Sequence, residues 1–476
     1  MQGDRAATRD GGPLFKVRYV QVVLLFFLMT IAFSIRMTLS VAIVAMTHNG
    51  TSSNPDVPTY EWKNTNIILS SFFWSYAITQ FFAGHMAQVY GPKWLLATAM
   101  LANALASIAI PSFVNYFGAN GVITCRIFQG LFQGFMLPLT HNMLGRWAPS
   151  HENSWINATV YTGCSVGGII AMLFTGYLSA SPLGWPSAFY FFGTLGLIWC
   201  LFWTCLSADS PATHKTITTE ERKYIEISLG QENDHMMEEK SIPWKAIFTS
   251  VPYWAIIIAA VGESWGSTLL GTELPTYLSS VVGLDIEESS WYSAAPTIGS
   301  IIFGLLFGPL ADYVIKNQYA SRVNARRIFH GIGCFVPALM MVCLSYVEDK
   351  YAIVTLLITA VSATAALNCG HWVNLIDISP RYSGILAGIA NGAGQFVAIL
   401  APLLVHFIVN DEANRALWRT IFILAAFIYA STATFFIAFA SAERQWWDNQ
   451  RRQVKNQKEG ANTNGYYNQS FERDNC

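Results

Sequence analysis

Charged residues are scarce in this chain. Only 12% of its 476 residues are Asp, Glu, Lys or Arg, whereas 53% are hydrophobic and 14% are aromatic. A soluble surface needs about 25% charged residues to remain hydrated. The scarcity therefore excludes an ordinary soluble domain and indicates a surface that mostly faces lipid. The formal net charge of −1 argues neither for nor against a nucleic-acid partner, and we expect none in a membrane protein of this composition.

Several motifs of pumps and enzymes are also missing. No G-x-x-x-x-G-K-S/T phosphate loop occurs, which disfavours a primary pump. The H-E-x-x-H and cysteine-rich metal patterns are absent as well, so we expect neither an enzyme nor a metal or cofactor site. Seven of the 8 cysteines lie in apolar runs, where they are typical of small buried side chains and not of a disulfide framework. No short apolar segment with a cleavage site follows the N-terminus, and we expect no cleaved signal peptide.

Long apolar runs, in contrast, recur throughout the sequence. About twenty apolar residues suffice to cross the hydrocarbon of a bilayer. A scan with windows of that length predicts an all-α membrane protein with 12 transmembrane helices. The predicted spans lie near residues 20–46, 65–87, 94–114, 121–144, 156–179, 187–207, 252–279, 291–315, 328–347, 351–374, 384–409 and 418–440.

The predicted spans fall into two groups of six. A polar stretch at 209–250 separates the groups and indicates a cytoplasmic linker between two pseudo-symmetric six-helix bundles. The sequence is therefore divided into a cytoplasmic tail at 1–18, a first bundle at 19–208, the linker, a second bundle at 251–441 and a cytoplasmic tail at 442–476.

Lys and Arg residues are distributed unevenly between the two sides. If the N-terminus is cytoplasmic, the inner segments hold 22 of the 28, and the outer loops hold only Lys63, Lys350, Arg415 and Arg419. Positive charge accumulates on the cytoplasmic side of membrane proteins. The skew thus places both termini in the cytoplasm and requires an even number of spans. An outer loop carries the sequon Asn49-Gly-Thr, so Asn49 is a predicted glycosylation site, although such triplets also arise by chance.

Both halves carry a glycine-rich pattern at the inner end of their second span. It reads GHMAQVYGPK from residue 84 to 93 and GPLADYVIK from residue 308 to 316. Glycines let helices approach closely, and an acid or amide followed by a base could pair across the short inner loop. We assign Gly84, Gly91, Lys93 and Asp312 to a gate at this end. The alternative is a tight turn that only needs small residues.

Several sequence blocks resemble one family of carriers. The repeated G-x-x-A-D/Q-x-x-G pattern resembles the major facilitator superfamily. Closer similarity to the sialin, vesicular glutamate transporter and type I phosphate cotransporter family lies in IRMTLSVAIVAM, CRIFQGLFQG, HNMLGRWAPSHENS, TELPTY, ARRIF, NLIDISPRYSGILAGIANG and ASAERQWW. These blocks run from the first span to the last. The resemblance implies the facilitator fold and the symport of an anion with a cation.

The chain departs from the family pattern at three places. Sialin-like members carry two proton-coupling glutamates in the fourth span, where this chain has Gln129 and Gln133. Phosphate and organic anion members of the renal type also carry amides there, which favours a relation to them. Vesicular glutamate transporters have an arginine where this chain has Glu263, so glutamate loading of vesicles is not expected. The family's N-H-L-D block reads Asn374-Leu-Ile-Asp377 and lacks the histidine.

Ionisable residues inside the spans are few, and each is a candidate for function. A charge within hydrocarbon costs about 2.5 kcal/mol or more, so such a residue is rarely kept without a role. Arg36 lies deep in the first span, and its guanidinium fork suits a carboxylate or a phosphate. We predict that Arg36 binds the substrate anion, and the resemblance implies the same role. The alternative is an arginine that reaches the outer interface.

The fourth span carries two further candidates. Arg126 opens it, and Gly130 and Gly134 follow on one face, which allows another helix to pack closely. We assign Arg126 to the substrate site, with a structural ion pair as the alternative. His141 lies farther along, where an imidazole could relay a proton or bind the anion, or could be satisfied by a backbone carbonyl. Asn374 in the tenth span is also assigned to the substrate site.

Acidic candidates lie in the second half. Glu263 is in the middle of the seventh span, where an unpaired carboxylate must take up a proton or bind a cation. We predict that it couples transport to H+ or Na+, with pairing to an arginine in the empty carrier as a compatible alternative. Glu273, nearer the outer face, is assigned to the same coupling role or else to an exposed interface. Asp377 is expected to form an inner-gate pair with Arg381 at i, i+4.

An aromatic run opens the second span. Phe72, Phe73, Trp74 and Tyr76 could line the translocation path. Aromatic residues also form belts at the membrane interface, so a belt is the alternative.

These features predict a secondary transporter that moves a small anion, either inorganic phosphate or an organic carboxylate, by alternating access. We expect coupling to a Na+ or H+ gradient and no other cofactor. The alternatives are a sialin-like lysosomal proton-coupled exporter of acidic sugars, an uncoupled carrier driven by the membrane potential, and a transport-dead scaffold or receptor. The expected partners are the anionic substrate and the lipid bilayer. We expect a monomer, in the plasma membrane in preference to a lysosomal or other vesicular membrane.

Overall fold

The computed structural model describes residues 16–47, 52–62, 65–229, 242–272, 277, 281–282, 286–409, 411 and 414–448. The predicted glycosylation site Asn49 and the predicted coupling residue Glu273 lie outside the described residues. The described helices are α1 (Val17–Thr47), α2 (Thr65–Tyr90), α3 (Pro92–Trp147), α4 (Asn153–Ala180), α5 (Pro186–Leu206), α6 (Thr219–Leu229), α7 (Trp244–Phe248), α8 (Val251–Thr272), α9 (Ile286–Lys316), α10 (Arg322–Leu344), α11 (Lys350–Thr364), α12 (His371–Ile378), α13 (Ser383–Ile408) and α14 (Arg415–Phe439).

These helices confirm the predicted fold with 12 spans. Within the described residues, nine helical stretches are long and apolar enough to cross a membrane. One of them, α3, forms two spans, because the backbone of Gly118 leaves the helical region with a φ of 58°. Glycine adopts this conformation without a Cβ clash. We call the two parts α3a (92–117) and α3b (119–147). Helices α8 and α13 provide the remaining crossings.

The tenth span is interrupted, which the sequence did not predict. Helix α11 ends at Thr364, a 3-10 turn covers Ala365–Asn368, and α12 begins at His371. A Cβ atom on Gly370 would lie only 2.9 Å from the Cα atom of His330 on α10. Interrupted spans are tolerated where the freed backbone groups lie against protein. The break places His371 and Trp372 in the first turn of α12.

Equivalent helices pair in the two halves. In the first half, α1 packs against α4, and α5 packs against α3. In the second half, α8 packs against α13, and α14 packs against α10. Small residues permit these close crossings, since a Cβ atom on Gly167 would lie 2.2 Å from the carbonyl oxygen of Thr30. The repeated pairing shows the internal symmetry that the two groups of six spans predicted.

The two halves meet at the predicted cytoplasmic ends of their helices. Helix α13 packs against α2 and α3, and α9 packs against α4. A Cβ atom on Gly84 would lie 2.3 Å from the Cα atom of Ile385, and one on Gly388 would lie 2.3 Å from the carbonyl oxygen of Gln80. The backbones of the two halves are therefore in direct contact. The structure is closed at this end, which the skew of Lys and Arg predicts to be cytoplasmic.

The polar stretch after α5 folds back onto the first half. The carboxylate of Glu221 on α6 accepts hydrogen bonds from the backbone N–H groups of Val17, at 3.0 Å, and Arg18, at 3.1 Å. These donors begin α1 and have no partner within the helix. The Arg18 guanidinium in turn donates to Glu152, between α3 and α4, at 2.7 Å. Helix α6 thus ties the start of α1 to the inner face of its own half.

Candidate functional site

Arg36 occupies an aromatic pocket near the middle of the first span. It lies about 6 Å beyond the midpoint of α1 along the helix axis. The Cζ atom of its guanidinium lies 5.3 Å from the ring centroid of Phe33, 5.1 Å from Phe72, 4.7 Å from Phe73 and 5.3 Å from Tyr76. Aromatic faces attract a cation electrostatically, and more strongly where water is excluded. The surrounding rings thus offset part of the cost of placing a charge at this depth.

The spacing of the aromatic run on α2 explains this pocket. Phe72, Phe73 and Tyr76 lie on the helix face that meets α1 and α3b, because residues three and four apart share a face. Trp74 points away from that face, with 51% of its surface exposed. Three of the four aromatic residues therefore line the space around Arg36, and Trp74 occupies the lipid-facing side.

Arg126 lies beside Arg36. Its guanidinium donates to the carbonyl oxygen of Arg36 at 3.2 Å and to the side-chain oxygen of Gln129 at 3.3 Å, and it lies 4.7 Å from the ring centroid of Phe72. A Cβ atom on Gly130 would lie 2.0 Å from the carbonyl oxygen of Phe72. The glycine face after Arg126 thus brings α2 against α3b, as the sequence predicted. It places the aromatic rings within reach of both arginines.

The two arginines lack acidic partners. Among the described residues, neither guanidinium lies within ion-pair distance of an Asp or Glu side chain. The two like charges are close enough to repel one another. Within a region of low dielectric constant such repulsion is strong, and an anion between the two groups relieves it. This arrangement suits the binding of a carboxylate or a phosphate.

The two amides of the fourth span are fixed by local hydrogen bonds. Gln133 donates from its Nε2 atom to the carbonyl oxygen of Ala32 on α1 at 2.8 Å. Gln129 accepts from Arg126. Both side chains therefore connect α3b to the pocket of Arg36, and neither can act as an acid at physiological pH.

Tyr76 and Gln80 connect this pocket to the second half. The ring centroid of Tyr76 lies 5.3 Å from the Cζ atom of Arg36, and Gln80 follows one turn farther along α2. The amide of Asn391 on α13 donates to the side-chain oxygen of Gln80 at 2.6 Å. The cationic pocket is thus bounded on one side by polar groups of the opposite half.

His141 lies at the boundary between the halves. Its ring is fully buried and stacks on Tyr161 of α4, with 5.0 Å between centroids, and on Trp372 of α12, with 5.6 Å between centroids. Neither ring nitrogen has a hydrogen-bond partner among the described residues. The structure therefore places His141 between the two candidate sites and not directly at the arginines.

Glu263 lies in a separate cluster within the second half. Its Oε2 atom accepts a hydrogen bond from the indole N–H of Trp372 at 2.7 Å and lies 3.0 Å from the Nε2 atom of His371. The second distance is that of an ion pair, although the two groups are not aligned as in a hydrogen bond. Pairing of Glu263 with an arginine in the empty carrier was therefore a wrong expectation. The interrupted tenth span supplies both partners instead.

Asn374 lies at the cytoplasmic end of this region. Its amide donates to the carbonyl oxygen of Ser441, in the segment that follows α14, at 2.9 Å. The structure therefore does not bring Asn374 to the arginine pocket, where the sequence had assigned it.

The expected pair of Asp377 with Arg381 is wrong. Helix α12 ends at Ile378, and Pro380 follows, so the two residues are not one helical turn apart. Asp377 pairs instead with Arg326 of α10, with 2.6 Å between Oδ2 and Nε. Arg326 also donates to the hydroxyl of Ser154 on α4, at 2.7 Å, which belongs to the other half. The pair thus joins the halves at the inner gate.

The gate motifs also act between halves and not across their own loops. The carboxylate of Asp312 on α9 accepts from the backbone N–H groups of Ser154, at 3.2 Å, and Trp155, at 2.8 Å, at the start of α4. At the matching position of the first half, Gln88 on α2 donates to the carbonyl oxygen of Arg381 at 2.6 Å. Both motifs therefore hold the cytoplasmic side closed. The expected pairing within each half, across the short inner loop, was wrong. Asp312 and Gln88 instead contact residues of the opposite half, which lie closer.

Two of the remaining gate residues, Gly91 and Lys93, stabilise the loop between α2 and α3. Gly91 has a φ of 79°, which favours glycine, and the backbone N–H of Lys93 donates to the carboxylate of Asp209 at 2.8 Å. Gly84, in contrast, contacts α13 directly, as described above. Arg381 contributes its backbone carbonyl to the gate, and its guanidinium lies 5.6 Å from the ring of Tyr382.

Sequence reasoning missed two histidines of the second half. His330 on α10 and His371 on α12 are both fully buried, and their rings are 5.1 Å apart. Each lies within an apolar run, as His141 does, and that signal was available in the sequence. Their proximity to Glu263 could not be predicted from the sequence, because it depends on the interruption of the tenth span.

Comparison with known proteins places this geometry in a family. The model of the Major Facilitator Superfamily matches residues 24–402. Among solved structures, the proton:xylose symporter XylE has a TM-score of 0.69 at 13% identity, with 90% of this chain and 97% of that chain covered. The fucose:proton symporter FucP of E. coli has a TM-score of 0.66 at 11% identity, with 90% of this chain and 100% of that chain covered. These structures support the fold.

Two relatives are similar in sequence over most of their length. A Drosophila melanogaster protein named "Putative inorganic phosphate cotransporter" is 32% identical over 461 residues, which cover 91% of this chain and 87% of the relative. The human vesicular glutamate transporter 2 is 34% identical over 427 residues, which cover 88% of this chain and 73% of the relative. The chain therefore belongs to the major facilitator superfamily of transporters, in the branch that holds the type I phosphate cotransporters and the vesicular glutamate transporters.

Proposed function

We propose that the protein is a secondary transporter that carries a small anion across its membrane by alternating access. The anion is inorganic phosphate or an organic carboxylate, and its movement is coupled to a cation gradient. The observation that carries the proposal is the pair Arg36 and Arg126, two cations at mid-membrane depth without an acidic partner among the described residues. An empty pocket of this kind is costly, and a bound anion removes the cost.

The position of the pocket supports alternating access. Arg36 lies on α1 and Arg126 on α3b, while the polar groups of Asn391 on α13 approach from the other half. The halves are joined at their cytoplasmic ends by the contacts of Asp312, Arg326 and Gln88. Breaking these contacts and rocking the halves opens the pocket to the cytoplasm.

The charges around the pocket favour a compact anion with one acidic group. Two guanidinium groups supply forked donors that match the oxygens of phosphate or of a single carboxylate. Phosphate also fits the name of the Drosophila melanogaster relative.

Uptake into vesicles tests the proposal. The purified full-length chain is reconstituted into liposomes, and the uptake of radiolabelled phosphate and sialate is measured with Na+ and pH gradients imposed separately. We expect uptake of at least one of these anions above protein-free vesicles and competition by the other anions of the same class. Choline, a cation of similar size, should not be taken up. If neither anion enters under either gradient, the proposal is wrong.

We further propose that the carrier works as a monomer without a bound cofactor and that it resides in the plasma membrane. The name of the vesicular relatives makes an intracellular membrane the competing location. Immunolocalisation of the full-length chain together with a plasma-membrane marker distinguishes the two locations. Light scattering of the detergent-solubilised protein tests the monomer.

A further inference from the structure

We propose that the coupling ion is a proton and that the Glu263–His371 pair, with His330 beside it, carries this proton in the second half of the molecule. The proposal rests on the proposed anion transport, since a coupling site has no meaning without cargo. It moves the proton site away from the fourth span, where Gln129 and Gln133 cannot titrate.

Three helices converge to form this site. Glu263 comes from the middle of α8, His371 from the first turn of α12, and His330 from α10. The carboxylate oxygen of Glu263 is 3.0 Å from the Nε2 atom of His371, and the two imidazole rings are 5.1 Å apart. Both histidines are fully buried, and the Nδ1 atom of each has no hydrogen-bond partner among the described residues. An acid and two bases thus lie side by side, with both histidines buried and the Glu263 side chain 23% exposed.

The atoms around Glu263 suit a proton better than a sodium ion. Transporters bind Na+ through oxygen atoms, largely backbone carbonyls of unwound helices. The Oε2 atom of Glu263 instead faces two nitrogen atoms, the indole N–H of Trp372 at 2.7 Å and the Nε2 atom of His371. An N–H donor next to the carboxylate repels a metal cation but stabilises a shared proton. The chemistry of the site therefore selects H+.

Proton binding changes the charge of the pair by one unit. When the pair holds one proton, it is either a carboxylate with an imidazolium or a carboxylic acid with an imidazole, and its net charge is zero. A second proton, taken from the outer solution, leaves a carboxylic acid beside an imidazolium with a net charge of +1. This charge attracts the cargo anion, and the anion in turn favours the second proton. The proton leaves to the cytoplasm when the carrier opens inward.

Among the described residues, neither Glu263 nor His371 forms an ion pair with any other side chain. Helix α10 presents His330 and Cys334 to the pair, α14 presents Tyr429, and α3b presents His141. Helix α13 packs against α8, and it contains no Asp, Glu, Lys or Arg between residues 383 and 408. Its one histidine, His406, lies about three turns along the helix from the level of Glu263. The pair is therefore free to change its protonation state.

A series of rings connects the proton site with the anion site. Trp372 donates to Glu263 and stacks on His141, and His141 stacks on Tyr161. His141 belongs to α3b, the helix that also carries Arg126 of the anion site. His141 and Trp372 belong to different halves, so the rocking motion must alter their contact. The contact therefore links the state of the gate to the hydrogen bond that holds Glu263.

Proton flux measured together with phosphate uptake tests the proposal. Wild-type vesicles carry entrapped pyranine, and the membrane potential is clamped at zero with potassium and valinomycin. If one proton moves with each phosphate at zero membrane potential, a pH difference of one unit supports about tenfold accumulation of phosphate. We expect phosphate to drive acidification of the lumen at equal Na+ concentration on both sides. A Na+ gradient alone should drive no accumulation.

Three variants locate the site. Glu263→Gln and His371→Gln should abolish accumulation driven by the pH gradient and the pyranine signal, but both should retain exchange of labelled for unlabelled phosphate. His151→Gln, a matched change at an exposed histidine of the inner loop, should behave as wild type. If Glu263→Gln does not give a monodisperse protein, His371→Gln carries the test, because glutamine retains a polar group of similar reach.

The outcomes separate this proposal from the proposed function. If wild-type vesicles accumulate phosphate with a Na+ gradient and show no proton flux, the protein is an anion carrier, and the proton site is wrong. If Glu263→Gln and His371→Gln keep pH-driven accumulation, or lose exchange together with accumulation, the pair does not carry the coupling proton. If the wild type exchanges no labelled phosphate or sialate under any condition, it is the proposed function that fails.

Discussion

The two halves share their architecture but carry different ionisable groups at their centres. The first half holds Arg36 and Arg126 in a pocket of aromatic rings, and the second half holds Glu263 among histidines and tryptophan. At the cytoplasmic ends the halves are alike, since Gln88 and Asp312 each bind the opposite half. The gate contacts are thus similar in the two halves, whereas the ionisable residues at the centre of each half differ.

The divergence has a physical basis. A gate must close on both sides of the symmetry axis with similar contacts, so equivalent positions keep equivalent roles. A site for an anion and a coupled cation needs opposite charges that are close but not neutralised by each other. If Glu263 paired directly with Arg36, the binding of cargo would first have to break a buried ion pair, which is costly. Placing the two charges in different halves avoids this cost.

Removal of the positive charge in the first half should have the largest effect. We expect Arg36→Ala to lower phosphate uptake at least about a hundredfold, since a charge-assisted hydrogen bond contributes about 1.5–3 kcal/mol and the fork makes two. Arg36→Lys should fall between Arg36→Ala and wild type, because it keeps the charge but not the fork. Trp74→Phe, in the same aromatic run but facing lipid, serves as the control. Arg36→Ala uptake within twofold of wild type would remove the arginine from the site.

Loss of the Arg326–Asp377 ion pair at the inner gate should mainly reduce the stability of the folded protein. Arg326 is fully buried, and Arg326→Ala leaves the Asp377 carboxylate without its partner. Such a change costs about 3–5 kcal/mol. We expect a clear fall in the thermal unfolding midpoint of the solubilised protein, and the double variant Arg326→Ala/Asp377→Ala should recover part of it. A double variant that is less stable than Arg326→Ala would contradict the pairing.

An acid introduced at Gln133 should give the first half a titratable group like that of the second half. Gln133 now donates to the carbonyl oxygen of Ala32, and a glutamate in its place can do so only while it is protonated. We expect Gln133→Glu to make uptake depend on pH, by up to about tenfold per pH unit, since one titrating group sets that limit. Gln133→Met serves as a control of similar volume without the acid. A flat pH profile for Gln133→Glu would show that the fourth span does not sense protons in this protein.

The two gate latches should give the smallest and most similar effects. Asp312→Ala removes the acceptor for two N–H groups at the start of α4, which costs about 1 kcal/mol by analogy with a helix cap. Gln88→Ala removes one hydrogen bond to a carbonyl group, with a smaller cost. Both should shift the carrier toward the cytoplasm-open state, measured as faster labelling of a cysteine introduced on the inner side of α4. Equal labelling in both variants and the wild type would argue against a latch role.

Much of the fold could be predicted from hydrophobic patterning. Twelve apolar runs and a polar linker determined the number of spans and their grouping, and the skew of Lys and Arg predicts their orientation. Patterning failed at the tenth span, because an apolar run does not reveal where a helix breaks. The break depends on the contact of Gly370 with α10, which is a tertiary feature.

The candidate site divides in the same way. Arg36, Arg126 and Glu263 were identifiable from sequence, since an ionisable group inside an apolar run is costly anywhere in the membrane. Their partners were not identifiable. Arg36 and Glu263 lie in different halves, and the local rule of i, i+4 pairing failed for Asp377 because a helix ends between the two residues.

The sequence by itself thus determined that this protein spans the membrane in two groups of helices, and which charged side chains the membrane must accommodate. The reason is that lipid imposes its cost on each residue separately. Only the tertiary structure decided that Asp377 meets Arg326, that Gln88 and Asp312 hold the opposite half, and that His371 meets Glu263. These pairings depend on how helices far apart in the chain approach each other, and that approach is set by packing between them.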